Sequence, residues 1–420
     1  MAEIPPSSTQ PTAEHARASM WRRPKPWAIG AGILLLLVIL LVAIKPFGAS
    51  RAMRALTELG FSQGACSDDG PTAAPRSECL ALRANPALTS AGLAAAAPYL
   101  EKLDGRLELN LAGTEVDSIE SLNGLDGLES LDLTSTRVWN LDALKKLSSL
   151  NRLVLHRTDV QSISALKGLT GLQSLNLWDT RVSNLDALKD LSDLRQLDLR
   201  DTQVRDLDAL VDLPHLETLK LGGARNVRNI APLSQLGSLR TLDLNETQIE
   251  NIDALKKLHD LQALYLANTA VRNIGPLADM HALKTLVLDG SKVANIDAIQ
   301  SSLQMETLVL ARTQVESIDA LKGLKNLRRL NLADTDVENI DALSALTNLQ
   351  MLNLFRTRVR SVDALKGLTG LQELYLANTP VEDVAPLKRL TGLRELVLYG
   401  TRASNVDDIK AALPKTRIVW

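Results

Sequence analysis

From Leu109 onward the chain repeats itself, and no other feature constrains its fold as much. Leu-x-Leu pairs begin at Leu109, Leu131, Leu153, Leu175, Leu197 and Leu219, each 22 residues after the last. They resume at Leu242, Leu264, Leu286, Leu308, Leu330, Leu352, Leu374 and Leu396, again 22 residues apart. The one 23-residue step, Leu219 to Leu242, carries its extra residue around Ala224-Arg225-Asn226. Fourteen units follow one another, and Ile418-Val419-Trp420 supplies a last partial strand. A period this short belongs to an array in which each unit packs only on its neighbours.

One unit carries the physics. Leu131 and Leu133 alternate with Asp132 and Thr134, the period of a half-buried strand. Leu141, Leu144, Leu147 and Leu150 then recur every three residues, which predicts a short, tight helix on the opposite side. Asp142-Ala143 reads as its N-cap and first residue. Pro232, Pro276 and Pro386 replace that alanine in three units, where a missing N–H has no helical partner. With Val138, each unit offers seven apolar side chains that it cannot bury alone. Stacked turns bury them between one another, at roughly 1.5–3 kcal/mol per aliphatic chain.

The pattern Leu-x-Leu-x-x-Thr-x-Val-x-x-Ile-Asp-Ala-Leu-x-x-Leu-x-x-Leu resembles the 22-residue leucine-rich repeats of bacterial internalins and of phosphatase-regulatory proteins. The resemblance covers residues 109–420. It implies an α/β leucine-rich-repeat solenoid, with a curved parallel sheet on the concave face and short helices or 3-10 turns on the convex face. Where that family usually has Asn after the strand, this chain has Thr at Thr114, Thr136, Thr158, Thr180, Thr202 and beyond, with Ala224 and Ser291 as exceptions. A hydroxyl reaches less far than an amide, which leaves the bonding of the turn open. Leu80-Ala81-Leu82, followed by Asn85, looks like a longer repeat of the ribonuclease-inhibitor type over residues 80–108, with 29 residues from Leu80 to Leu109.

The first 50 residues are different in kind. Residues 1–26 hold five prolines together with Ser, Thr and Ala, a composition that predicts a disordered tail. Ala28 to Ile44 is an uncharged run of 17 residues, about 25 Å as a helix at roughly 1.5 Å per residue. Trp27 and Phe47 stand at interfacial positions. Residues 27–45 are therefore read as a single transmembrane helix. The run is long for a cleaved secretory signal, which favours a signal anchor, although Gly48-Ala49-Ser50 offers a cleavage site. Arg17, Arg22, Arg23 and Lys25 before the span, against Lys45, Arg51 and Arg54 after it, favour a cytoplasmic N-terminus slightly.

Residues 46–108 are read as a linker and N-terminal cap. They contain the only two cysteines, Cys66 and Cys79, which form either a disulfide or two free thiols. A disulfide here requires an oxidising compartment. With the membrane segment, it places the repeats on the periplasmic or extracellular side. The cysteine loop is expected to cap one end of the core, and Trp420, at an inward position, to plug the other.

No catalytic pattern is present: there is no Gly-x-Ser-x-Gly elbow, phosphate-binding glycine loop or His-Glu-x-x-His helix. No cofactor is expected. His259 and His281 occupy one place in adjacent units, and solvated surface residues describe them better than metal ligands. A formal charge of -2 gives no basic face for nucleic acid. Aromatics are scarce, twelve in all, so their placement is informative. Trp178, Tyr265, Phe355, Tyr375 and Tyr399 fall beside the Leu-x-Leu pairs on the expected concave face. Phe355, Tyr375 and Tyr399 lie on three successive units and are expected to form one patch. His156 and Arg157, Trp178 and Asp179, and Arg200 and Asp201 form a second group. Such residue types are enriched in binding hot spots, although aromatics also simply suit strands. The resemblance implies a protein partner on this face; a spacer without a specific ligand, or a cytoplasmic regulatory adaptor, are the alternatives.

Overall fold

Why the turns stack is visible in one of them. Leu131, Leu133, Val138, Leu141, Leu144, Leu147 and Leu150 are all at most 2% exposed, and the same seven places are filled and buried along the array. The computed structural model describes residues 48–66, 79–103 and 105–420. Their strands form a 17-stranded sheet running in chain order. The first two strands are β1 (Phe61–Gly64) and β2 (Cys79–Ala84), which pair antiparallel. Every later neighbour is parallel, from β3 (Arg106–Asn110) and β4 (Leu128–Asp132) to β16 (Glu395–Val397) and β17 (Arg417–Val419). Strands β3 to β16 carry the fourteen Leu-x-Leu pairs, and β17 is the terminal strand that the sequence predicts. The register is one whole unit per step, Leu131 opposite Leu153 and Leu153 opposite Leu175.

The leucines spaced by three are 3-10 turns. Leu144 N–H donates to Leu141 O at 2.8 Å, Leu147 to Leu144 at 3.0 Å and Leu150 to Leu147 at 3.0 Å. Each i→i+3 bond returns the next leucine to the same face. Asp142 is not the cap: it is the first residue of the 3-10 segment Asp142–Leu144, and its N–H is taken by Asn140 Oδ1 at 2.8 Å. In the same way the N–H groups of Asp186, Asp253 and Asp341 donate to the Oδ1 atoms of Asn184, Asn251 and Asn339. A side chain two residues upstream thus closes an Asx turn that starts the helix.

The turn after the strand is settled as well. Thr136 Oγ1 donates to Leu133 O at 2.8 Å, and Thr114, Thr158, Thr180 and Thr202 bond the leucine three residues back at 2.6–2.7 Å. These hydroxyls are buried and bond within their own turn. The residue before the threonine position is left-handed in all fourteen turns, with φ between +53° and +75°, and in ten of them it is not glycine. In the 23-residue step the extra residue is absorbed here: Ala224 fills the threonine's buried place, and Lys220 still pairs with Asp243.

Two expectations are corrected at the ends. Leu82, not Leu80, stands opposite Leu109, and Leu80 stands opposite Leu107, so the first interval is 27 residues by pairing rather than 29. That unit does carry a true helix, α2 (Ser90–Leu100), whose N-cap Thr89 accepts from Gly92 N–H at 3.3 Å. The core's first edge is covered by α1 (Gly48–Glu58) and β1, through buried Leu56 and Phe61. Cys66 and Cys79 are joined by a disulfide, and the loop between them lies outside the described residues. Trp420 is 53% exposed and so plugs nothing; α3 (Val406–Ala412), with buried Val406 and Ile409, replaces the last 3-10 turn. Among the described residues no helix is long and apolar enough to cross a membrane. The segment 27–45 and the tail 1–26 lie outside those residues.

Candidate functional site

Side chains on the solvent side of the sheet come from fixed places in each unit: the residues before, between and after the two leucines. Because the strands are in register, equivalent residues of successive turns sit side by side. His156, Trp178 and Arg200 occupy the place after the pair in three consecutive turns, and the structure brings them together. The imidazole of His156 stacks on the indole of Trp178 with centroids 4.1 Å apart and planes 16° from parallel. The guanidinium of Arg200 lies over the same indole, 4.1 Å from its centroid. Such contacts order an aromatic ring by roughly 0.5–1 kcal/mol at exposed sites.

Each member of this row is tied down from elsewhere. Trp178 Nε1–H donates to Asp201 Oδ2 at 2.9 Å, and His156 Nδ1 lies 3.1 Å from Trp178 O. Arg200 is gripped by the buried carboxylate of Asp198, with Nε and Nη2 contacts of 2.9, 3.1 and 2.6 Å. The Asp198 hydrogen bonds hold the guanidinium pKa above its ordinary value. Burial pushes the carboxyl of nearby Asp243 up, the reverse of the usual carboxylate partnership. Beyond Arg200 the row is interrupted by Gly222, where a Cβ would meet the Asp243 carboxylate at 3.0 Å.

Arg157, Asp179 and Asp201 are not strand residues. They are the left-handed residues of their turns, with φ of +54°, +54° and +53°, and lie exposed where the chain leaves the sheet. Arg157 pairs with Asp179 across adjacent turns at 3.4 Å. This group is therefore a face row, His156–Trp178–Arg200, bordered by a charged rim row of one arginine and two aspartates.

The second aromatic group is not assembled. Tyr375 lies between its two leucines, whereas Phe355 and Tyr399 follow theirs, and Ala377 separates them in that row. The Tyr375 hydroxyl lies 3.2 Å from both Glu373 Oε2 and Glu395 Oε2. Burial first, then these carboxylates, push its pKa up to about 12. Phe355 packs under Arg356, whose guanidinium is 4.8 Å from the ring centre. Tyr399 is 45% exposed. Tyr265 stands alone, opposite Asp243 and Val287.

Two features escaped sequence reasoning. Trp139 is 65% exposed on the side of the array, away from the strands; its place, directly after the inward valine, marks it as outward. Asp334, Asp336 and Glu338 face Arg356, Arg358 and Arg360 of the next turn in three parallel ion pairs of 3.6, 2.6 and 3.3 Å. The repeat phase alone aligns those six charges. His259 and His281 are exposed. Cys66, Cys79 and Glu108 come within 4.8 Å of one another, but both sulfurs are committed to the disulfide.

Known proteins carry the same construction. The family model described as Leucine Rich repeats (2 copies) matches residues 237–279, 325–367 and 347–389. No curated protein sequence matches the chain. Among solved structures, an internalin (InlF) from Listeria monocytogenes is 28% identical, covering 71% of this chain and 87% of its own, with a TM-score of 0.67. A leucine-rich-repeat protein of Leptospira interrogans shares the fold at 21% identity, 77% and 91% coverage and a TM-score of 0.68. The functional domain of InlJ from Listeria monocytogenes does so at 19% identity, 76% and 72% coverage and a TM-score of 0.64. With seven buried places per turn, parallel strands in single-unit register and 3-10 turns opposite them, the chain is a leucine-rich-repeat protein with repeats of the internalin type.

Proposed function

We propose that this protein is a non-catalytic, membrane-anchored recognition module that holds a protein partner on the solvent face of its sheet. Leucine-rich-repeat proteins commonly mediate protein–protein interaction, and the family is typically non-catalytic. The observation that carries the reading is the His156–Trp178–Arg200 row. An indole clamped on both faces and hydrogen-bonded at its nitrogen loses little further freedom on binding, which is what hot-spot residues need. Toll of Drosophila, a protein of similar fold with a TM-score of 0.60, is known in complex with Spatzle.

The partner's contact is centred on Trp178 rather than on Phe355, Tyr375 and Tyr399, whose rings do not meet. Affinity capture with the full chain tests this. Trp178→Ala is expected to abolish recovery of the partner, while the Phe355/Tyr375/Tyr399 triple alanine variant retains most of it. Recovery that is unchanged by both variants would favour a spacer role and remove the proposal.

Membrane attachment rests on the uncharged run of 17 residues from Ala28 to Ile44, and the outward orientation on that run together with the disulfide. Protease added to intact cells is expected to digest the repeats. Protection until lysis would place them on the cytoplasmic side and support the adaptor alternative.

A further inference from the structure

The side of the array carries a furrow between successive turns. Where it runs beside Ser183 to Ala209 its volume is about 620 Å³, and beside Arg272 to Gln300 about 550 Å³, with no aromatic side chain in the lining of either stretch. Between the second and third Leu-x-Leu turns it widens to about 690 Å³, and one wall is the indole of Trp139. The places equivalent to Trp139 in the neighbouring turns hold Asp117 and Gln161, and along the rest of the array only Ser, Arg, Glu or Ala. An indole here is 65% exposed and covers no core, so packing does not explain it. Its faces are also free: among the described residues no ring or guanidinium stacks on Trp139, whereas Trp178 is covered on both sides.

Around that free face stand planar hydrogen-bonding groups. Asn140 and Asp142 lie on the turn of Trp139 itself, Gln161 on the next, and the planar pair Arg181–Asp159, 3.7 Å apart, closes the far end. Asn140 uses its Oδ1 on the Asp142 N–H, which holds the side chain in place and leaves the amide nitrogen to donate outward. An apolar ring face bordered by amides and carboxylates, of which Asn140 is held by its backbone bond and Asp142 by Lys145 at 2.9 Å, matches a pyranose, with one C–H face and hydroxyls around its rim. The volume falls within the roughly 300–1,000 Å³ of small-ligand sites. A protein hot spot is a poorer match, because those sit inside a shell of further contacts that exclude water, and this indole is ringed by solvated polar groups.

We propose that the furrow beside Trp139 is a carbohydrate site, which stacks a neutral sugar ring on the indole and holds its hydroxyls through Asn140, Asp142 and Gln161. It is separate from the sheet face and does not depend on the protein partner argued above. The test titrates the full chain in detergent with maltohexaose, cellohexaose, xylohexaose and chitotetraose, reading tryptophan emission and saturation-transfer NMR. A saturable emission shift with at least one of the four is expected. Trp139→Ala should weaken it tenfold or more and Gln161→Ala several-fold, with circular dichroism unchanged in both. No saturable response to any of the four sugars, or a response that survives Trp139→Ala, overturns the proposal.

Discussion

Trp178 Nε1–H donates a 2.9 Å hydrogen bond to Asp201 Oδ2, one turn further along the array, and Asp201 in turn lies over Gly223 of the turn after that. Two successive repeats are thereby linked through side chains in addition to the backbone ladder, and the carboxylate rests against the backbone of a third, at the place where the face and rim rows meet.

If that bond orders the indole, its proton should report it. Asp201→Ala is expected to shift the Trp178 indole N–H resonance upfield and speed its exchange with water, while His156 stacking persists. Equal exchange rates in the two proteins would show that the bond is not held in solution. Because the group is partly exposed, the stability change should stay near the low end of about 0.5–1.5 kcal/mol.

Gly223 has a steric reason of its own. It is left-handed at φ +75°, and a Cβ there would collide with Asp201 Oδ1. Gly223→Ala is expected to destabilise the protein by about 1–3 kcal/mol in urea melts, from backbone strain and the clash together. Adding Asp201→Ala should recover only the clash. A double variant no more stable than Gly223→Ala alone would mean that backbone strain is the whole effect.

Adjacent turns provide an internal control for the threonine bond. Thr269 Oγ1 donates to Leu266 O at 2.7 Å, whereas the buried hydroxyl of Ser291, one turn on, has no partner among the described residues. Thr269→Val should therefore cost about 1 kcal/mol, and Ser291→Ala should be neutral or stabilising. Similar losses at both positions, measured by chemical denaturation, would argue that the hydroxyl bond adds nothing.

Tyr375 should titrate late. With its pKa raised to about 12, it keeps its proton between pH 10 and 12, where an unfolded chain loses it. The folded state binds more protons in that window, so stability from this group is intact below pH 10 and falls as pH rises toward 12. Difference absorbance near 295 nm between the wild type and Tyr375→Phe measures the ionisation. Replacing Glu373 and Glu395 with Gln is expected to lower its midpoint. A midpoint near 10 in the wild type would contradict the arrangement.

The sequence made the leucine layer plain because burial imposes a strict period, and one slip would turn every side chain to the wrong face. Fourteen strands and their 3-10 turns follow from that period. The register of β2 is not legible to within two residues because Leu80-Ala81-Leu82 offers two apolar choices, and only pairing with Leu107 and Leu109 selects between them. Asp142 looked like a cap because it precedes the helix by type; the Asn, Ser or Asp two places earlier, present in every unit from Ser118 to Asn405, was the better signal. The aromatic site was half legible. Sequence phase puts Phe355, Tyr375 and Tyr399 on successive turns, but it does not tell a residue between two leucines from one after them. That difference in row is why Trp178 meets His156 while Tyr375 turns to Glu373 and Glu395.

The threonine hydroxyl closes on its own turn rather than reaching to a neighbour. That hydroxyl therefore asks nothing of the next turn, although the leucine layer and the strand ladder still do. Removing or inserting one whole unit leaves no orphaned hydroxyl behind. Array length can thus vary in steps of a single turn while each remaining threonine keeps its own bond.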